Sequence, residues 1–85
     1  MTHTDGNLLA GPLRAILGVD LTTAQGTCDG CGARGPIASA LVYGPEPGLV
    51  ARCPSCENVL LRIVQTADRA WLDLRGLTSI EVALA

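Results

Sequence analysis

Residues 28–56 read CDGCGARGPIASALVYGPEPGLVARCPSC, and a CxxC pair stands at each end of this segment. Two residues between cysteines allow a tight turn to direct both thiolates at one metal ion, with each sulfur about 2.3 Å from it. Pro54 suits the second position of such a turn, and Gly30 and Gly32 relax the backbone of the first one. A hairpin in the residues between the pairs can bring these two turns, or knuckles, together. The segment therefore predicts one metal site with four ligands: Cys28, Cys31, Cys53 and Cys56.

Zinc is the ion that this pattern favours. A c-type haem would need a histidine directly after a CxxC pair, where this chain has Gly32 and Glu57. A thioredoxin-like redox site would need one CxxC pair at the junction of a strand and a helix, and the pattern here predicts strands. Iron in a rubredoxin-like four-sulfur site is the main alternative, because geometry does not separate the two metals. Such iron sites are usually surrounded by aromatic side chains, and this chain has no Phe, one Trp and one Tyr. Disulfides or free thiols are a further alternative.

The length and composition explain why the fold needs a metal. The 85 residues are enough for one domain, which we place at 1–85, and 48% apolar with 16% charged residues excludes a disordered chain. An aliphatic core of this size is marginal without a disulfide, a metal or a partner. A closed shell of four thiolates leaves no open position for a substrate, so we expect one structural Zn²⁺ that stabilises the fold.

The N-terminal residues 5–18 predict one helix or two short ones. Asp5 or Asn7 can cap the start, and Gly18 suits the end. Pro12 either kinks this helix or begins a second one in its first turn, where the missing N–H costs nothing. Four apolar residues at helical spacing form one stripe: Leu9, Leu13, Ile16 and Leu17.

The rest of the chain predicts strands separated by turns. Apolar and β-branched runs indicate strands at 19–23, 37–43, 49–52, 58–66 and 70–75, with turns at 44–48 and 67–69. The end of the chain alternates, which predicts a last strand with Ile80, Val82 and Leu84 on one face. The fold class is therefore a small β-rich zinc ribbon (α+β) with a short helical N-terminal segment. Its parts are the helical segment at 1–18, a two-knuckle zinc site at 28–56, and a β hairpin plus terminal strand at 58–85.

The chain offers no residues for catalysis that stand out. His3 is the single histidine and lies in a terminus that we expect to be frayed, and the carboxylates Asp68, Asp73 and Glu81 are isolated on presumed strands. A nucleophile would therefore have no base beside it, and no two residues are placed to act as an acid–base pair. We predict that the protein is not an enzyme and has no small-molecule substrate.

Nucleic-acid binding, in the manner of zinc ribbons in the transcription and translation machinery, is an alternative function that the charge disfavours. The formal net charge is −2, and four thiolates (−4) with one Zn²⁺ (+2) bring it to −4. Phosphate binding needs a basic stripe and base stacking needs aromatics, and both are scarce here. The arginines are scattered along the chain: Arg14, Arg34, Arg52, Arg62, Arg69 and Arg75. A rubredoxin-like iron electron carrier is the third possibility.

Neither a membrane span nor a signal peptide is predicted. The most apolar run, residues 59–64, contains an arginine and is far shorter than the roughly 18 residues of a membrane helix. The first six residues lack a basic segment followed by an apolar one. We therefore expect a cytoplasmic protein, and in that compartment thiols stay reduced and CxxC pairs indicate metal sites.

Trp71 indicates a candidate partner surface. Alternation in residues 69–75 places Ala70, Leu72 and Leu74 on one face of a strand and Trp71 with Asp73 and Arg75 on the other. If the aliphatic face is the core, Trp71 is displayed among charges, as in an interface anchor. The alternative is that Trp71 packs beneath the N-terminal helix. We predict binding to a protein partner or to a second copy, through a surface that contains Trp71, Asp73, Arg75, Arg69 and Tyr43.

Several short motifs together resemble a known family. They are DGN at 5–7, AGPL at 10–13, CxGCG at 28–32, CPxC at 53–56 and WLDLRG at 71–76. Over essentially its whole length the chain resembles a family of small actinobacterial proteins that is a domain of unknown function. The resemblance implies a zinc-ribbon-like fold with the four cysteines as ligands, and it implies no activity. The DGN and WLDLRG motifs are peculiar to the family, which makes them candidates for a partner surface.

Overall fold

The computed structural model of the protein describes residues 4–18, 20–44 and 48–83. Within them the chain forms a small β-rich fold with one short α-helix. In chain order the elements are β1 (Thr4–Asp5), a first 3₁₀ turn (Gly6–Leu9), α1 (Ala10–Leu17), β2 (Gln25–Cys28), β3 (Arg34–Pro36), a second 3₁₀ turn (Ile37–Ser39), β4 (Leu41–Tyr43), β5 (Gly48–Arg52), β6 (Val59–Gln65), β7 (Ala70–Asp73) and β8 (Leu77–Glu81).

The strands form two antiparallel sheets. The larger sheet has the order β1-β4-β5-β6-β7, and the smaller has the order β3-β2-β8. Neighbouring strands are antiparallel throughout, and β8 returns to pair with β2 near the start of the chain. The first knuckle joins β2 to β3 and the second joins β5 to β6. Each sheet therefore contributes one pair of cysteines.

In the N-terminal segment predicted as helical, helical structure runs in two parts from Gly6 to Leu17, after the short strand β1, which was not predicted. The side chain of Asp5 accepts a hydrogen bond from the backbone N–H of Asn7 and so caps the first 3₁₀ turn. Pro12 lies in the first turn of α1, where its missing N–H has no intrahelical partner to lose. Gly18 ends the helix in the left-handed conformation, with a φ of 77°. The predicted capping by Asp5 and termination at Gly18 are thus confirmed.

The strand predicted at 19–23 is wrong. Val19 lies outside the described residues, and the residues after it form a turn. The carboxylate of Asp20 accepts hydrogen bonds from the backbone N–H and the hydroxyl of Thr22, at 2.9 and 2.7 Å. Such a local bond to the side chain replaces the bonds that a strand would make with a neighbour. The first strand of this region begins only at Gln25.

The strand predicted at 37–43 is half wrong. Residues 37–39 form the second 3₁₀ turn, since the backbone N–H of Ala40 donates to the carbonyl oxygen of Ile37. Extended structure begins at Leu41, and the short strand β3 before the turn was not predicted. The N–H groups of Ile37 and Ala38 donate instead to residues 24 and 22, so they bind the Asp20–Ala24 turn rather than a sheet.

The second half of the chain follows the sequence pattern more closely. Strands β5, β6 and β7 lie within one or two residues of the predicted strands. The last strand lies earlier than predicted, at Leu77–Glu81, and Val82 beyond it is 49% exposed. Ile80 is half-buried as expected, whereas Leu84 lies outside the described residues, as do residues 45–47 of the predicted turn.

The core lies between the helix and one face of the larger sheet. Leu9 and Leu13 are 0% and 1% exposed, and they belong to one buried cluster with Val42, Ala51 and Ile63 of that sheet. The molecule measures 38 × 35 × 19 Å, and its smallest dimension has room for about two layers at roughly 10 Å each. The sheet is therefore covered on one face. No helix in the described residues has the length and apolar character to cross a bilayer.

Candidate metal centre

The two CxxC pairs form the same turn twice. In the first knuckle the N–H of Gly32 donates to the carbonyl oxygen of Cys28 at 2.9 Å, and the N–H of Cys28 donates to Ala33. In the second the N–H of Glu57 donates to the carbonyl oxygen of Cys53 at 2.8 Å, and the N–H of Cys53 donates to Asn58. Each pair of bonds closes a loop of the same size. The chain therefore presents its two cysteine pairs with matching backbone geometry.

The residue after each second cysteine takes the left-handed conformation. Gly32 has a φ of 77° and Glu57 has a φ of 65°. Glycine takes this conformation freely, whereas glutamate is strained in it. The position is needed because it turns the chain back so that the strand after the knuckle runs antiparallel to the strand before it. Sequence reasoning missed Glu57, although its place matches that of Gly32.

The four sulfurs meet at one point. All four Sγ atoms lie within 4.8 Å of one another. Across the knuckles, the Sγ atoms of Cys28 and Cys56 are 3.6 Å apart, and those of Cys31 and Cys53 are 3.7 Å apart. A tetrahedral metal with sulfur at about 2.3 Å requires sulfur–sulfur distances of about 3.8 Å. Both distances exceed the roughly 2.05 Å of a disulfide. The cluster has the dimensions of a four-sulfur metal site.

Backbone N–H groups point at the first sulfur of each knuckle. Gly30 donates to the Sγ of Cys28 at 3.3 Å, and Ser55 donates to the Sγ of Cys53 at 3.4 Å. These two cysteines are buried, at 3% and 2% exposure, whereas Cys31 is exposed. Donation to sulfur stabilises the thiolate form, which a metal needs in its ligands.

The thiols differ in acidity. Burial raises the pKa of the Cys53 thiol, but hydrogen bonds from the backbone N–H groups of Cys56 and Ser55 and with the sulfurs of Cys31 and Cys56 together outweigh burial and lower that pKa to about 7. At Cys56 the N–H of Asn58 lowers the pKa, whereas burial and the sulfurs of the other three cysteines raise it to about 12. Neighbouring thiolates repel one another, so they do not ionise together in the absence of a cation. A divalent ion among them removes that repulsion.

Contacts from outside the knuckles hold them in place. The N–H of Asp29 in the first knuckle donates to the carbonyl oxygen of Gly76, directly before β8. In the second, a guanidinium N–H of Arg52 donates to the carbonyl oxygen of Glu57 at 2.9 Å. The central carbon of the Arg52 guanidinium group lies 5.9 Å from the ring centre of Tyr43. Sequence reasoning missed both contacts of Arg52, and the one with Tyr43 depends on the pairing of β4 with β5.

The residues of the predicted partner surface lie partly on one face of the larger sheet. Val64 pairs with Trp71, Arg62 with Asp73, and Val50 with both Arg62 and Tyr43, so their side chains share one side. We name this side, which faces away from the helix, the outer face: Tyr43, Val50, Arg52, Arg62, Val64, Trp71 and Asp73. Arg75 lies beyond β7 and binds Asp73 at 2.8 Å, and Arg69 is exposed in the turn before it.

Trp71 does not pack beneath the N-terminal helix, so that alternative is wrong. The side chain of Trp71 lies on the opposite face of β7 from that of Leu72, which packs against the core, and Trp71 is 54% exposed. The helix occupies the other face of the sheet. The alternation therefore predicted the two faces correctly, and the position of the helix decides which one is open.

The remaining candidate residues do not converge. Glu81 binds Arg34 of the smaller sheet, Asp68 accepts from the hydroxyl of Thr66 in the β6–β7 turn, and Asp73 binds Arg75. His3 lies outside the described residues. Within the described residues, the four cysteines are the one group that could hold a metal ion.

Comparison with known proteins gives a family and no function. The model of the family of unknown function DUF6510 matches residues 1–85. No curated protein and no solved structure matches the chain. The predicted membership of a domain-of-unknown-function family is thereby confirmed. The chain belongs, over its whole length, to the family of unknown function DUF6510.

Proposed function

We propose that the protein is a zinc ribbon with one structural Zn²⁺, and that it serves in the cytoplasm as a non-enzymatic interaction or accessory module. One observation carries the metal part of this proposal, namely that two separate turns bring four sulfurs within 4.8 Å of one another. Zinc bound by four thiolates is tetrahedral, and the sulfur–sulfur distances of 3.6 and 3.7 Å suit that geometry.

The place of the cluster supports a structural role for the ion. Cys28 ends β2 of the smaller sheet, and Cys53 directly follows β5 of the larger sheet. One ion bound to both knuckles joins the two sheets. Binding of a structural Zn²⁺ contributes on the order of 10 kcal/mol to folding, which is as large as the net stability of most small domains.

The absence of an open ligand position supports a role without catalysis. Four thiolates complete the tetrahedral shell, so neither water nor a substrate has access to the ion. The exposed apolar side chains of the outer face support a role in binding proteins, because Trp71 and Val64 are 54% and 38% exposed there. An exposed aromatic beside aliphatic and arginine side chains is the composition of an interface centre.

Native mass spectrometry of the purified chain tests the metal. We expect one Zn²⁺ per chain, no visible absorbance from iron, and collapse of the circular dichroism spectrum when a strong chelator is added. Cys53→Ser, which removes a buried sulfur, should abolish binding of the ion. Ser55→Ala should keep it, since Ser55 donates to that sulfur through its backbone. A folded chain that carries no metal and resists the chelator would refute the proposal.

Binding assays test the interaction role. Salt-dependent binding of random-sequence DNA by the zinc-loaded protein would replace it with the nucleic-acid alternative. Size-exclusion chromatography at two concentrations reports self-association.

A further inference from the structure

The outer face combines apolar side chains with arginines. Val64 and Trp71 pair directly across β6 and β7, and Arg62 lies two residues before Val64 on the same side. That spacing places the Cα atom of Arg62 about 7 Å along the strand from that of Val64, within reach of the apolar pair for an arginine side chain. Within the described residues, this guanidinium forms no ion pair or hydrogen bond, although its charge contributes to lowering the pKa of Asp73.

Within the described residues, the carboxylates of Asp73 and Asp5 on this side both accept hydrogen bonds. Asp73 accepts three hydrogen bonds from the side chain of Arg75, one at 2.8 Å and two at 3.1 Å. Asp5, at the far edge in β1, accepts from the N–H of Asn7. Arg52 and Arg62 therefore give the middle of the outer face a positive charge, in a protein whose formal net charge is −2. A positive patch on an acidic protein selects a negatively charged partner.

A second copy of the chain fits this face poorly. Two outer faces in contact would bring two positively charged patches together, and like charges at an interface are unfavourable. Four strands about 4.8 Å apart, with a mean length of about 16 Å, offer roughly 300 Å². A stable dimer buries about 800 Å² on each partner, so the face suits a short peptide segment better.

A single-stranded nucleic acid also fits poorly. Bases stack on open aromatic faces, whereas Arg52 lies over the ring of Tyr43 and leaves Trp71 as the exposed aromatic of the outer face. The other apolar residues are the aliphatic Val50 and Val64, which offer no ring for stacking. They suit the side chains of a protein.

From these observations we infer that the outer face binds a short acidic segment of a partner protein in which a carboxylate lies close to an apolar side chain. The apolar side chain packs on Trp71 and Val64, and the carboxylate forms a two-pronged ion pair with Arg62. This inference rests on the proposed function as an interaction module, and it adds the chemistry of the partner. The small area makes the complex weak and reversible.

A peptide library displayed on phage tests the inference. Random dodecapeptides are selected on the zinc-loaded protein, and the enriched sequences are synthesised for binding measurements. We expect Asp or Glu within two positions of Trp, Phe, Leu or Ile in these sequences. Trp71 is the single tryptophan of the chain, so a blue shift of its fluorescence reports binding at the outer face directly.

Matched variants show where the peptide binds. Arg62→Glu and Trp71→Ala should each weaken binding by roughly tenfold or more. Arg14→Glu and Leu17→Ala make the same kinds of change at exposed positions of the helix, and we expect them to change binding by less than about twofold. Binding should also weaken as salt increases, because exposed ion pairs are screened.

Each other outcome overturns the inference in a recognisable way. Selection of basic or uncharged peptides refutes an acidic partner. So does a selection in which no peptide is enriched more on the wild-type protein than on the Arg62→Glu protein. Peptides that bind Arg62→Glu and Trp71→Ala as tightly as they bind the wild type would leave the interaction module standing but place its site elsewhere. Self-association lost in Arg62→Glu would identify a second copy as the occupant. Binding of single-stranded oligothymidine, with no peptide enriched, would refute the interaction module itself.

Discussion

Exchanging residue types between the two knuckles should change stability in opposite directions. Glu57 holds the left-handed conformation at a φ of 65°, and Gly32 holds it at 77° in the matching position. The bonds that Glu57 makes to Cys53 and Arg52 use its backbone, so Glu57→Gly keeps them. At Gly32 an added Cβ would meet nothing within 4 Å, so Gly32→Ala changes only the conformational cost.

The magnitude follows from the backbone. A residue with a Cβ pays about 1–2 kcal/mol in the left-handed region, and glycine loses about 0.5–1 kcal/mol more entropy on folding. The difference predicts that Glu57→Gly stabilises the zinc-loaded protein by about 0.5–1 kcal/mol and that Gly32→Ala destabilises it by a similar amount. For a domain of this length, 1 kcal/mol corresponds to about 4–8 °C in Tm.

Thermal unfolding at a fixed excess of zinc, followed by circular dichroism, measures both changes. Zinc affinity from competition with a chelator should move in the same direction, because metal binding and folding are coupled. Glu57→Ala is the control: it removes the carboxylate but keeps the Cβ, and its Tm should stay close to that of the wild type. A lower Tm for Glu57→Gly, or an unchanged Tm for Gly32→Ala, would show that the two turns are not equivalent.

Two further predictions concern packing and pH. Gly76→Ala should destabilise the fold by several kcal/mol in chemical denaturation, because its Cβ would lie 1.8 Å from the carbonyl oxygen of Val59. Gly11→Ala in α1 is the control: its Cβ would meet nothing within 4 Å, so the change should stabilise the fold by about 0.5–1 kcal/mol. Equal effects of the two substitutions on the free energy of unfolding would contradict the close contact at Gly76. The side-chain and backbone bonds from Arg75 lower the pKa of Asp73 to about 2, so the unfolded chain binds the proton more readily and the ion pair's stabilising effect is lost as the pH falls from about 4 to about 2. Above that window both states are ionised, so the Tm difference between wild type and Asp73→Asn should stay constant from about pH 8 to pH 5; a difference that changes within this range would place the pKa of Asp73 much higher.

The sequence was most informative where local chemistry decides the structure. The CxxC spacing was enough to predict a tight turn at each cysteine pair, since each turn is fixed by a few neighbouring residues. The cap at Asp5, the helix end at Gly18 and the β6–β7 hairpin were predictable for the same reason.

Long-range pairing is what the sequence pattern could not supply. Nothing in Leu77–Glu81 indicates that this strand pairs with β2 rather than with β7, which precedes it in the chain. The apolar run at 37–43 gave no sign that its first residues would bind a turn instead of a strand. Likewise, the exposure of Trp71 depends on which face the helix covers, and the strand's own alternation is compatible with either.

The cysteine cluster lies at the junction of the two sheets, and this position affects how the molecule opens. Because one knuckle belongs to each sheet, neither sheet can move away while all four sulfurs stay together. With an ion bound to all four sulfurs, we expect opening near the cluster to involve both sheets, so that amide protons in β2 and β5 exchange with solvent as one cooperative unit. If a metal ion is bound there, we expect the lifetime of the metal–sulfur bonds to set how often the whole domain becomes vulnerable to proteolysis.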